Sequence, residues 1–219
     1  MKKNALATWV QAAAAVVLTA GSVNAAQVPT IVYDNSVNPL NKYFASQTEF
    51  GDQVASPAIG WLMDTFTFEY FASGLGGSET AKLRFYANDG DGVGNFKAPG
   101  TLLYTSPDIP LFNGNSPVTV TDLTSLNIVI PPSFTWTVSV SGLAANDTFG
   151  LKLYDPPVVG SSYDDIWQLN NGNWELVKVT GAPSNFGAQL IAVVPEPGAL
   201  SLLGVGALAL LVRRRASAK

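Results

Sequence analysis

Trp61-Leu62-Met63-Asp64-Thr65-Phe66-Thr67-Phe68-Glu69-Tyr70-Phe71 alternates with a period of two. Leu62, Phe66, Phe68 and Tyr70 fall on one side of an extended chain, and Met63, Thr65, Thr67 and Glu69 on the other. A helix would bring its apolar residues round every three or four positions instead, so this stretch reads as a half-buried strand. The same alternation recurs in residues 81–87, with Leu83, Phe85 and Ala87 opposed to Lys82, Arg84 and Tyr86. It recurs again in residues 134–140 through Phe134, Trp136, Val138 and Val140.

Further strands are predicted over residues 30–34, 50–55, 101–105, 118–121, 127–130, 148–154, 166–169, 174–179 and 186–194. Residues 35–41, 74–78, 88–100, 107–117 and 170–173 are rich in Gly, Pro, Asn and Asp and read as turns or loops. No long window has helical periodicity. Short strands with a turn signal every 8–12 residues or so are the pattern of an antiparallel β-sandwich or jelly roll. The expected fold class is therefore all-β, in one domain.

The two ends of the chain differ from this pattern. Met1-Lys2-Lys3 precedes an apolar stretch over residues 5–20, and Val23-Asn24-Ala25 offers small residues for a cut after Ala25. Residues 1–25 therefore read as a secretory signal peptide. At the other end, Val194-Pro195-Glu196-Pro197 is followed by residues 198–212, which carry no charge, and then by Arg213-Arg214-Arg215 in a basic tail, residues 213–219. A helix over that apolar run spans ~22 Å. That is short for a hydrocarbon core of about 30 Å, and local thinning and snorkelling arginines accommodate the mismatch. Such a cationic flank belongs on the cytoplasmic side. The expected organisation is a signal peptide, an exported domain over residues 26–193, and a C-terminal segment over residues 194–219 containing a transmembrane helix.

Six of the twelve Lys and Arg residues lie in these terminal segments, which leaves six against sixteen acidic residues in the chain. No basic face is available for nucleic acid, and no nucleic-acid partner is expected. With no His and no Cys there is no Ser-His-Asp triad, no cysteine nucleophile and no disulfide. Ser-x-x-Lys and Gly-x-x-x-x-Gly-Lys motifs are absent as well. The expectation is a protein that is not an enzyme.

Pro-Glu-Pro, a short apolar span and an arginine cluster, in that order, resemble the C-terminal sorting signal of the PEP-CTERM proteins. The resemblance implies that exosortase, a membrane protease-transpeptidase, recognises Pro195, Glu196 and Pro197. It implies a precursor held transiently in the inner membrane of a Gram-negative bacterium, with Arg213, Arg214 and Arg215 as the basic flank. The product then passes to the cell surface or to an extracellular matrix of exopolysaccharide, as in biofilm. Four internal segments also look like patterns common in exported domains of that family: residues 50–54, 85–90, 99–104 and 186–188.

Three sets of residues are candidates for chemistry within the domain. Asn88, Asp89, Asp91 and Asn95 bring side-chain oxygens together on a glycine-rich loop, as Ca²⁺ coordination requires. The EF-hand pattern fails there, because Val93 and Gly100 stand where ligands are needed, and the same residues also make plain turns. Asp164-Asp165 is a second source of oxygens. Of Trp61, Trp136, Trp167 and Trp174, all on strand patterns that favour the core, Trp174 follows a tight turn and is the candidate to stack on a sugar ring. Asp64, Glu69, Asp164 and Asp165 are the carboxylates a glycosidase would draw on. The functional expectation is a structural or adhesive surface or matrix protein that needs no cofactor, with Ca²⁺ the one candidate ion. The alternatives are a carbohydrate-binding module and, behind it, a polysaccharide hydrolase.

Overall fold

The computed structural model describes residues 27–181 and 183–195. The expected signal peptide, Glu196, Pro197, the apolar run 198–212 and the arginine cluster lie outside the described residues. The described residues are all-β, with 54% of them in strands, and contain no α-helix. One short 3₁₀ turn occurs at Leu123–Leu126.

The strands form two large antiparallel sheets. The first contains β1 (Thr30–Asp34), β2 (Pro39–Phe44), β4 (Leu62–Ser73), β10 (Gly114–Val120), β12 (Thr148–Tyr154) and β16 (Ala188–Val193). The second contains β3 (Phe50–Ala55), β5 (Thr80–Ala87), β8 (Leu102–Thr105), β9 (Ile109–Pro110), β11 (Ser133–Ser141), β13 (Ser161–Ser162), β14 (Ile166–Asn170) and β15 (Asn173–Val177). A two-strand ribbon, β6 (Gly92–Val93) with β7 (Phe96–Lys97), stands apart.

Eight of these strands define the topology. β1, β16, β4 and β10 lie side by side in the first sheet, and β3, β11, β5 and β8 in the second. The chain therefore passes repeatedly from sheet to sheet, and its last strand returns beside its first. That is jelly-roll connectivity. β4 is the pivot: Phe68 pairs with Val118 on one edge and with Ala188 on the other. Past Phe68, β12 takes over the edge that β16 leaves, pairing with Tyr70 to Ser73.

The core lies between the two sheets. Phe66 of the first meets Phe85 and Trp136 of the second at ring-centroid distances of 5.0 and 5.3 Å. Trp136 also contacts Phe68 and Phe186, and Phe186 reaches Phe50. All six side chains are fully buried. Their crossed and edge-on rings satisfy the aromatic quadrupole while filling the inter-sheet space.

The structure corrects the expected face of Leu62. Ile191 pairs with Thr65 but the next residue, Ala192, pairs with Met63, so Asp64 is an extra residue in β4. This bulge flips the start of the strand. Met63 is buried in the core with Phe66, while Leu62 turns to the outer face and is half-buried. Three other boundaries differ. Residues 39–44 form β2 rather than ending in a turn, and β10 begins at Gly114, inside the expected loop. Residues 127–130 make one isolated bridge, Val129 to Leu62, and no strand.

Candidate functional site

The two ends of the described domain meet at one pole of the jelly roll. Thr30 at the start of β1 faces Ala192 near the end of β16. Val193, the last residue of β16, faces Leu62 at the start of β4, and Leu62 is bridged on its other side by Val129. β16 is paired along both edges, so the chain stays fixed until it leaves the sheet. Val194 is then half-exposed and Pro195 half-buried. Residues 193–215 match the model of the PEP-CTERM protein-sorting motif. The chain carries a PEP-CTERM sorting signal. No match was found among curated proteins or among solved structures.

The PEP-CTERM signal therefore starts on the final residue of a central strand, with no linker before it. It implies an exported protein whose membrane-anchored precursor is processed by exosortase. Of the expected recognition residues only Pro195 is described; Glu196, Pro197 and Arg213 to Arg215 lie outside the described residues.

The four internal segments that resemble PEP-CTERM exported domains come together two by two. Residues 50–54 meet residues 186–188: the Asp52 carboxyl accepts the Phe186 N–H at 3.0 Å. Residues 85–90 meet residues 99–104. Asp89 Oδ1 accepts the Thr101 N–H and Oδ2 accepts the Thr101 hydroxyl, each at 2.7 Å. Gly90 and Gly100 pack so closely that a Cβ on Gly100 would stand 2.5 Å from the Gly90 nitrogen. These hydrogen bonds hold the Asp89 carboxyl below the usual carboxylate range, the Thr101 hydroxyl contributing first. The candidate calcium loop thus has one carboxylate engaged in a clasp. Asn88 donates to the Lys97 carbonyl at 3.1 Å and to the Thr135 hydroxyl at 2.8 Å. Asp91 and Asn95 are exposed on the β6–β7 ribbon.

Trp174 is half-buried, edge-on to Tyr86 with centroids 5.5 Å apart. Tyr86 donates its hydroxyl to Glu49 at 3.0 Å, and Arg84 donates to the same carboxylate at 2.8 Å. Burial, with the Glu49 charge beside it, raises the Tyr86 pKa far above its ordinary value. Trp136 and Trp167 are fully buried and Trp61 is half-buried, so no row of exposed tryptophans exists among the described residues. Three of the four candidate carboxylates are tied to separate partners. Glu69 accepts from Lys152 at 2.8 Å and from Tyr154 at 2.6 Å, on the outer face of the first sheet. Asp64 accepts from Thr65 and Asp164 from the Ser184 N–H. Asp165 is buried, and desolvation pushes its pKa up. A cleft of about 560 Å³ at the opposite pole is lined by Ser46, Gln47, Leu143, Asp147 and Phe149 among others. Asp147 there accepts the Ala144 N–H.

Strand alternation gave no sign of the buried acid Asp52. It is fully buried in β3 on the face that packs against Phe186. Burial raises its pKa well above the ordinary value, and the charge of Asp165 adds to the shift. The Ser162 hydroxyl has two acceptors in range, Asp52 Oδ1 at 2.8 Å and the Gln53 carbonyl at 3.0 Å. One hydroxyl proton cannot serve both. In the neutral form that burial favours, an Asp52 O–H facing Ser162 would leave the Ser162 hydroxyl free to donate to Gln53. Asp52 thus joins β3, β13 and the segment leading into the last strand, in surroundings that favour its neutral form.

Proposed function

We propose that this protein is a non-enzymatic component of the bacterial surface or extracellular matrix, released from an inner-membrane precursor by exosortase at Pro195-Glu196-Pro197. The expected setting is exopolysaccharide or biofilm of a Gram-negative bacterium, and the expected role is structural or adhesive. The observation that carries this reading is the PEP-CTERM motif running directly out of β16. Residues 198–212 anchor the precursor and the arginines hold its end in the cytoplasm. The acidic jelly roll, which has no cysteine and so no disulfide, is what reaches the surface.

The test is Glu196→Ala in the producing cell. Unprocessed precursor should accumulate in the membrane fraction, and its released form should lack residues beyond the cut in the unmodified protein. Normal processing of the variant would overturn the exosortase step.

A second reading, a carbohydrate-binding module, is favoured by one observation: Trp174 and Tyr86 flank the Arg84–Glu49 pair on the outer face of the second sheet. Stacking on a ring beside hydrogen-bonding groups suits a sugar. Trp174→Ala should then abolish retention on an exopolysaccharide column without lowering the melting temperature. Equal retention of both forms would remove this reading.

A further inference from the structure

The pole that carries the sorting motif has an aliphatic outer face that the core does not use. Residues paired across antiparallel strands project to the same side. Ile31 pairs with Ile191, and Leu62 pairs with both Val193 and Val129, which sets five aliphatic side chains on one end of the first sheet: Ile31 and Val129 exposed, Ile191 and Leu62 half-buried, and Val193 buried. Val129 is 52% exposed and Leu126, three residues before it, 55%. Ile59, next to the Gly60 whose N–H donates to the Ile130 carbonyl, and Val194, next to Val193, are 58% and 50% exposed. Residues 27–34, 56–66, 121–132 and 191–195 contain no Lys or Arg, and Asp64 and Asp122 are the acids next to the patch.

The chain dictates what stands opposite. Four residues, 194–197, separate Val193 from the apolar run. Fully extended, they reach at most about 14 Å. While residues 198–212 are in the bilayer, this pole stays within that distance of the lipid surface. A tether this short makes the local concentration of lipid very high, so a weak apolar attraction is enough to hold the contact. The headgroup–acyl boundary accepts aliphatic side chains.

We propose that this aliphatic pole seats on the lipid bilayer in the anchored precursor, so that Pro195 is presented to exosortase at the membrane surface with the domain in one orientation. This rests on the anchoring role proposed above for residues 198–212. Because the patch lacks basic residues, the contact depends on apolar burial and not on anionic lipid.

The chain has no cysteine, so single labels are clean. Full-length precursor would be reconstituted in phosphatidylcholine vesicles with an environment-sensitive fluorophore on Leu126→Cys, Val129→Cys or, at the opposite pole, Asn171→Cys. Blue-shifted emission that is quenched by lipids brominated on their acyl chains is expected at the first two positions and not at the third. Water-like emission at all three in protein that floats with the vesicles would overturn the lipid contact and leave the anchor intact. Shielded emission without lipid quenching would mean that protein covers the patch, which overturns the proposal too. Failure of the precursor to float would refute the anchor itself, and the lipid contact with it.

Discussion

Asp52 in β3 and Phe186, two residues ahead of β16, are joined by a 3.0 Å hydrogen bond from the Phe186 N–H to a fully buried carboxyl. The bond links the second sheet to the segment that leads into the sorting signal. Leaving that N–H without a partner inside the core would cost about 1–3 kcal/mol. The acid that satisfies it sits where burial favours its neutral form.

The first prediction follows from that protonation. An acid whose folded pKa is raised stays protonated in the native state after the unfolded chain has ionised. Stability therefore falls as pH rises from the ordinary carboxylate pKa toward the raised folded value. Asp52→Asn keeps both hydrogen bonds, with its carbonyl toward Phe186 and its amide toward Ser162. Relative to the unmodified protein it should gain stability steadily as pH rises above about 4. Urea unfolding at several pH values checks this, and parallel stability curves would refute it.

A second prediction concerns Trp136, which contacts Phe66, Phe68 and Phe186 at the centre of the core. Trp136→Ala should cost about 3–5 kcal/mol, seen as a lower urea midpoint. Its indole N–H finds no acceptor among the described residues. Trp136→Phe loses no hydrogen bond and should cost less than half as much.

Gly187 supports a third. A Cβ there would stand 2.5 Å from the Tyr154 ring. Tyr154 is held over the glycine by Glu69 and Lys152. Gly187→Ala should destabilise by about 1–3 kcal/mol. In a Tyr154→Ala background the same change should cost far less, because the clash has gone. Additive losses in the two melting curves would count against the contact.

The fourth concerns the Asp89 loop. We propose that its main role is the clasp to Thr101, and that folding of the domain does not require calcium. Adding calcium, or removing it with a chelator, should leave the melting temperature unchanged. Thr101→Val should raise the Asp89 pKa toward its ordinary value, read by NMR of the carboxyl carbon. A calcium-dependent rise in melting temperature would restore the metal role, since a ligand held by the native state alone stabilises it.

The strands that were plain in the sequence are those with one face in the core. Phe66, Phe68 and Tyr70, or Phe134, Trp136 and Val138, cannot alternate by accident. The Asn170-to-Asn173 hairpin was equally plain, because Asn171 and Gly172 both take positive φ, as a tight two-residue turn requires. The strands that were missed lie where the ladder is tolerant. β2 contains Pro39 and is mostly exposed, and β10 contains Gly114 and Pro117. Such residues read as loop, yet an edge strand accepts them. The bulge at Asp64 was hidden because shifting one residue leaves composition unchanged. At the candidate sites, the Pro-Glu-Pro signal was legible because it is local. The clasp and the Asp52 contact were not, since each joins segments far apart in the chain.

The first sheet is closed by the strand of the domain that is made last. Until residues 188–193 have emerged, β1 and β4 have no neighbour between them and Phe186 has no place in the core. The strand order thus keeps the domain from locking before its final strand is in place, and on the reading proposed above the apolar run then follows that strand directly into the bilayer. On that reading, maturation of the fold and arrest in the membrane become one event.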